Sequence, residues 1–551
     1  MKQIDIIRTY AQKRCLIVDD VPDIRASLKR MLTDFGCSDV DTAGNAEEAI
    51  DLCERNHYQI LIADYNLGSG KNGQQLLEEL RFHRLLRNTS LFIMITAENA
   101  SHYVLHALEY QPDDYLSKPI TRQGLRARLD QDLLRKETLT PVNECLDQNK
   151  PRKAIEACMQ LMQEETRYKT DICKVLGELL CEVEDYPQAL QLYSGLYNEK
   201  SPIWVQLGYA KALFGTKEIA KAKAALTKLI AESPLCVDAH ELLAELLESQ
   251  NQIEQAQHTM AQAVSLSPQS VNRQRELGRI CKAAGDNVAA LHAFRAALRH
   301  GKNSCHEAPA DYISLADTLI HLGKNETGPT AKKYADEALE AVKQVEKKFS
   351  RHPIAKIHSK LVEAEVFDML ENTTAADQAT EAAIAMLAAV TPSILNNSPI
   401  DFSISCAQAL IERGKYDEGE KLLQAVAAIN SDHDKAIKID KLLREPLTSE
   451  GIEYASKLNK QGITRYQKKQ YHEAVNAFTS VLRELPNHIG LNLNLIQALV
   501  SKAKSQALSQ AELSLLDSSL LRIGEPEAES QHASRVNYLK KQIEKIKADT
   551  K

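Results

Sequence analysis

A single tryptophan stands among 551 residues, and aromatic side chains together make up only 5% of the chain. With Ala, Leu, Glu and Lys abundant, that scarcity points to a largely helical protein. No apolar run approaches the length of a membrane span, so no membrane insertion is expected. The opening "MKQIDIIRTYAQKRC" lacks the uninterrupted apolar core of a secretion signal. No strongly basic domain or tail is present, and the formal charge of −7 argues against nucleic acid as the partner. The 11 cysteines show no CxxC pairing, which fits reduced thiols in a cytoplasm better than a disulfide frame or a zinc site. Also missing are a Gly-rich phosphate loop, GGDEF or EAL signatures, HEXXH and a basic helix-turn-helix pattern. His57, His83, His102 and His106 sit singly and imply no metal cluster.

What is present divides in two, as a chain too long for one hydrophobic core requires. Up to about residue 136, short apolar runs alternate with helical spacing. "CLIVDD" (15–20), "DVDTA" (39–43), "QILIADYN" (59–66), "LFIMITAE" (91–98) and "DYLSKPI" (114–120) predict five strands. Residues 24–36, 45–56, 73–86, a short stretch near 101–110, and 121–136 predict helices. This alternation implies an α/β doubly wound, five-stranded parallel sheet, whose ligand site lies at the carboxyl ends of the strands.

Several polar groups stand at those ends: Asp19 and Asp20 after strand one, Asp64 after strand three, Thr96 after strand four and Lys118 after strand five. An Asp at a strand end commonly does no more than open a turn. Three carboxylates on one edge, however, repel, and their pKa values rise unless a cation sits among them. Mg2+, a hard ion with oxygen ligands, is the simplest remedy. A carboxylate can also attack phosphorus to give an acyl phosphate, with Lys118 and Thr96 holding the phosphoryl oxygens.

"LIVDD", "ILIADYN", "ITAE" and "DYLSKP" resemble the receiver domain of two-component response regulators, over about residues 10 to 135. The resemblance implies a flavodoxin-like fold in which Asp64 accepts a phosphoryl group from a sensor histidine kinase or a histidine phosphotransfer protein. It implies Mg2+ held by Asp19, Asp20, Asp64 and the backbone carbonyl of Asn66, and phosphate contacts from Thr96, Ala97 and Lys118. Thr96 and Tyr115 would be the switch residues, and the peptide before Pro119 would be cis. Asn66 and Glu98 stand where the family tunes phosphate lifetime. The chain departs from the family in three loops. Gly68 replaces a Pro, the loop to Gly73 is one residue longer, and "YQPDD" (110–114) replaces Ala-Gly-Ala.

From residue 137 onward helices follow one another with a period near 34. Gly278 is followed by Ala290, Phe294 and Ala297. The same offsets link Gly177 to Ala189 and Tyr193, Ala244 to Ala256 and Met260, and Gly462 to Ala474 and Phe478. Small residues let paired helices approach while a large one fills the gap, and Pro202, Pro234, Pro268 and Pro486 separate units. These segments resemble the tetratricopeptide repeat, a two-helix unit that stacks into an all-α solenoid. The expected organisation is an extension over 1–13, the receiver over 14–136, and repeats over 137–302. Longer, irregular helical repeats follow over 303–400, then repeats over 401–523 and a capping helix over 524–551.

In this register the inner groove carries Asp238, Glu241 and Glu245 in one unit and Arg275, Arg279 and Lys282 in the next. Two readings follow: a charged groove for a protein effector, or neighbouring helices pairing with each other along its wall, the commoner fate of such runs. Trp204 is expected in the core. The whole reads as a cytoplasmic bacterial response regulator, a phosphorylation-switched adaptor with no enzymatic output. The alternatives are a modulator of phosphotransfer from a sensor kinase to another regulator and, remotely, an Asp-nucleophile hydrolase.

Overall fold

A computed structural model describes residues 10–68, 70–96, 112–198, 200–302, 304–396, 398–430, 432–443, 449–484, 488–504, 506, 508–523, 535–536 and 538–543. Ala97, Glu98 and the helix expected near 101–110 lie outside the described residues.

Five strands, β1 (Arg14–Val18), β2 (Asp39–Ala43), β3 (Ile60–Asp64), β4 (Leu91–Thr96) and β5 (Asp114–Ser117), form one parallel sheet in the order β2-β1-β3-β4-β5. Side chains alternate between its faces, as the period of a strand requires. On β1, Cys15 and Ile17 join one buried cluster, while Leu16 and Val18 join the other. Helices α1 (Pro22–Phe35) and α4 (Arg122–Thr138) cover the first face; α2 (Ala46–Arg55) and α3 (Gly73–Phe82) cover the second. Asn45 caps α2 by accepting from the Glu48 amide at 2.8 Å, and Asn72 with Gln75 forms a reciprocal box at the start of α3.

Helix α3 ends at Phe82, four residues before its expected end. Arg84 turns left-handed with φ 56°, and the amides of Leu85 and Leu86 both return to the Leu80 carbonyl, at 2.8 and 3.0 Å. Leu85 and Leu86 still pack on the core from this turn, so the apolar spacing outlasts the helix.

Helix hairpins follow: α5 (Thr140–Asp147) with α6 (Pro151–Leu161), α7 (Lys169–Glu182) with α8 (Tyr186–Leu196), and α9 (Ile203–Gly215) with α10 (Ile219–Glu232). Then come α11 (Val237–Ser249) with α12 (Ile253–Leu266), and α13 (Val271–Ala283) with α14 (Asn287–Gly301). The turn inside each hairpin holds one residue at positive φ: Asn149, Glu184, Lys217, Asn251 and Gly285. Their regular spacing is the repeat written in backbone angles. Between helices, a missing side chain makes room for a ring. A Cβ on Gly278 would lie 2.6 Å from the Phe294 ring, and Gly177 and Gly462 stand in the same relation to Tyr193 and Phe478.

Two compact units emerge, Met1–Asp311 and Tyr312–Lys551, the division falling inside α15 (Pro309–Gly323). The first unit holds the sheet together with the five hairpins. The second contains the longer helices expected after residue 303, α16 (Pro329–Lys348), α17 (Pro353–Met369) and α18 (Thr373–Leu387), and a short α19 (Pro392–Asn396). It continues through α20 (Ile400–Glu412), α21 (Tyr416–Ile429), α22 (His433–Leu443), α23 (Ser449–Gln467), α24 (Tyr471–Glu484), α25 (Ile489–Ala503) and α26 (Gln510–Ile523). Its last core takes in Val536, Leu539 and Ile543 beside Leu495 and Leu499.

Replacing Gly278 by Ala should cost about 1–3 kcal/mol, because the Phe294 ring must leave its slot. Gly195, with open space around it, should accept Ala without loss. Denaturant melts followed by circular dichroism check both, and equal effects at the two positions would refute the packing argument.

Candidate functional site

Parallel strands end on the same edge, so residues distant in sequence meet there. Asp19 follows β1, Asp64 closes β3, Thr96 closes β4, and Lys118 follows β5. Asp19 is fully buried and Asp64 is 6% exposed, whereas Asp20 faces solvent. One carboxylate oxygen from each of the three lies within 4.8 Å of the others. The Lys118 ammonium stands between the two buried acids, 3.1 Å from Asp19 Oδ2 and 3.0 Å from Asp64 Oδ2. The other oxygen of Asp19 accepts from the Val21 amide at 2.8 Å, which orients the carboxylate.

Burial raises the Asp64 pKa above the ordinary carboxylate value; Lys118 opposes the rise, and the charges of Asp19 and Asp20 add to it. Burial works against the Lys118 ammonium as well, yet its hydrogen bonds to Asp64 and Asp19 outweigh this and raise its pKa. One lysine for three acids leaves the pocket short of positive charge. Its clustered oxygen donors suit a hard divalent cation.

The loop after β3 is shaped by Gly68, whose φ of 77° no proline can adopt. A Cβ there would also sit 3.4 Å from Asp20 Oδ2. The departure from the family Pro is thus a change of backbone conformation beside the acids. Asn66 is exposed, and its side chain accepts from the Gly68 amide at 3.3 Å. Behind Asp64, any side chain on Gly73 would collide with the Asp64 carbonyl, and the Gly73 amide donates to Tyr65 O at 2.8 Å.

The Lys118–Pro119 peptide is cis, and the Lys118 amide donates to Thr96 O at 2.9 Å, tying the two strand ends together. Tyr115 on β5 pairs with Met94 and packs against the second core cluster. Its hydroxyl is buried and meets no hydrogen-bond partner among the described residues, and burial raises its pKa. A contact that spacing did not reveal comes from Arg25, whose guanidinium donates to the Asp19 carbonyl. It stands one helical turn beyond Pro22, a position where its basic character alone carried no signal.

Tyr115 also lines a cavity of about 1350 Å3 whose far wall is the repeat array. Trp204 is part of that wall; it is half-buried, packed on the repeat core, and edge-on to Tyr193 at 6.3 Å. It therefore serves core and cavity at once. Of the expected groove residues, Asp238, Glu241 and Glu245 line the cavity, whereas Arg275, Arg279 and Lys282 do not. Of the two readings of these charges, the ion pairs between helices describe Arg275 and Arg279. Arg275 grips Asp311 through two bonds of 2.6 and 2.8 Å, and Arg279 reaches Glu248 at 2.6 Å. Like Lys174 and Lys211, Arg273, 4% exposed and bonded to Glu241, lines the cavity instead. Its neighbour Arg275 masked it, since the groove register selects one residue in three or four.

A family model for the response regulator receiver domain matches residues 15–130, and one for the tetratricopeptide repeat matches residues 213–280. A chemotaxis protein CheY homolog of Campylobacter jejuni is 33% identical over 118 residues, covering 21% of this chain and 89% of that protein. A CheY-like receiver domain protein from Methanospirillum hungatei, known by crystal structure, is 30% identical. It covers 23% of this chain and 96% of its own, with a TM-score of 0.21. The C-terminal part of a TPR repeat-containing protein from Cytophaga hutchinsonii is 15% identical over 46% of this chain and 98% of its own, with a TM-score of 0.37.

One buried acid at the other end of β5, beside Asp114, has a consequence for stability. Burial and then the Asp114 carboxylate push Asp132 up to about 7, with Arg135 only partly opposing. The fold thus holds this proton more tightly than the unfolded chain does. The contribution is complete below the ordinary value of 3.8 and is lost as pH rises through about 7. Wild type should lose stability between pH 5.5 and 8, by at most about 1.4 kcal/mol per pH unit for one proton. Asp132→Asn should flatten that slope in thermal melts; an unchanged slope would assign the proton elsewhere.

Proposed function

We propose that this chain, which belongs to the response regulator family through its receiver domain and carries tetratricopeptide repeats, accepts a phosphoryl group on Asp64 and reports it through those repeats. The observation that carries the reading is Lys118 poised 3.0 Å from Asp64, a cation placed where phosphoryl oxygens must be held. An Asp64 oxygen attacks the phosphorus of a phosphohistidine on a sensor histidine kinase or phosphotransfer protein. The N–P bond breaks, the imidazole leaves with the electron pair, and an acyl phosphate forms. Lys118 then exchanges its carboxylate partner for a phosphoryl oxygen, and the Thr96 hydroxyl holds another.

Mg2+ fits the acid pocket, with Asp19, Asp20, Asp64 and the Asn66 carbonyl as its holders. When bound, it supplies neutralisation of the charge gathered between carboxylate and phosphate. Burial, together with the charges of Asp19 and Asp20, raises the Asp64 pKa, and a cation among these carboxylates would relieve their repulsion.

The output is protein contact, with no part for DNA. Support comes from the net charge of −7, the repeat array, and the cavity that Tyr115 shares with Trp204. A change at Thr96 and Tyr115 has a short path into the solenoid, whose acidic residues would select a basic stretch of an effector protein. All 11 cysteines are free thiols, which suits a reducing bacterial cytoplasm.

Incubated with acetyl phosphate and Mg2+, the wild-type protein should gain the mass of one phosphoryl group. Asp64→Asn should gain none, and Lys118→Ala should be slowed at least tenfold. Labelling that persists in Asp64→Asn would remove the assignment. Beryllofluoride with Mg2+ should also change the emission of Trp204, the sole tryptophan, in wild type and not in Asp64→Asn. Emission that stays constant in wild type would sever the receiver from the cavity wall.

A further inference from the structure

Apart from the acid pocket, a second group of metal-ligating side chains bridges the receiver and the repeats. Glu78 lies on α3, while Cys305 and His306 lie in the turn between α14 and α15. We propose that Glu78, Cys305 and His306 bind a zinc-class divalent ion that fastens the receiver to the solenoid.

One donor atom from each of the three residues lies within 4.8 Å of the others, and His306 Nε2 is 3.2 Å from Glu78 Oε2. Donors of a tetrahedral zinc stand roughly 3.2–3.8 Å apart, as bonds of about 2.0–2.3 Å dictate, so only small side-chain adjustments are needed. The donor chemistry selects the ion. A thiolate and an imidazole beside one carboxylate favour a borderline transition metal over Mg2+, which prefers all-oxygen sites. Three protein ligands leave one position for water.

The turn is held in place before any ion arrives. The Ser304 amide donates to Gly301 O at 2.9 Å, the His306 amide to Ser304 Oγ at 3.2 Å, and Arg275 to His306 O at 3.0 Å. The Phe82 ring stands edge-on to the His306 ring at 6.4 Å, walling the site on the receiver side. Glu78 is also the one ligand contributed by the receiver, so the ion would span two parts of the chain that no peptide segment joins directly. The competing account is a plain Glu78–His306 ion pair with Cys305 a bystander.

Full-length protein, stripped with a chelator and kept in excess Mg2+ to occupy the acid pocket, would be titrated with Zn2+ against a chromophoric competitor, and with Co2+. One ion per chain and a thiolate-to-cobalt charge-transfer band are expected. Cys305→Ser should abolish the band, and both it and His306→Ala should weaken Zn2+ binding at least tenfold. Melting curves would verify that each variant is folded, and the wild-type cobalt spectrum needs no variant at all. A wild-type spectrum without the band, or Zn2+ affinity unchanged in both variants, would overturn the site.

Discussion

The site edge of the receiver is organised around one ammonium group between two buried carboxylates. Asp19 and Asp64 are drawn out of water at the ends of adjacent strands, and such a pair is tolerated only with positive charge beside it. Lys118 supplies part of that charge from the end of β5, three places from β1 in the sheet. Only a parallel sheet places all three on one edge. The same arrangement explains why the pocket invites a further cation: two buried acids and a third at the rim face a single lysine.

The sheet and its acid edge were legible in the sequence because their signals are local and strong. Each strand is a short apolar run, and each site residue stands where its run stops. The end of α3 was not legible, since Leu85 and Leu86 keep the apolar rhythm while packing from a turn. In the solenoid, spacing identified the helix face and the prospect of pairing between neighbouring helices, which Arg279 meets with Glu248. It did not point Arg275 to Asp311 of α15. The left-handed conformation at Gly68 was hidden too, because a glycine announces freedom without saying how it is used. The meeting of Glu78 with Cys305 and His306 had no sequence signature at all, as one ligand comes from the receiver and two from a turn far along the chain.

The first compact unit joins its receiver and repeats at more than one place. Arg135 lies 3.8 Å from Asp171, on the rim of the cavity that also holds Trp204, and the Asn88 amide donates to Asp147 at 2.6 Å. On the other side of the receiver, the tip of α3 meets the turn before α15. The repeats therefore act as more than a tether: they wall one side of the receiver and contact another.

The crowding of Gly73 against the Asp64 carbonyl has a mechanical outcome. Helix α3 begins there with no slack, and its ten residues form a rod of roughly 15 Å. The rod's near end abuts the acceptor strand, and Glu78 and Phe82 farther along it meet His306. A displacement of backbone at residue 64 must either bend this rod or push its tip. The solenoid can thus feel the pocket through a lever as well as through the cavity.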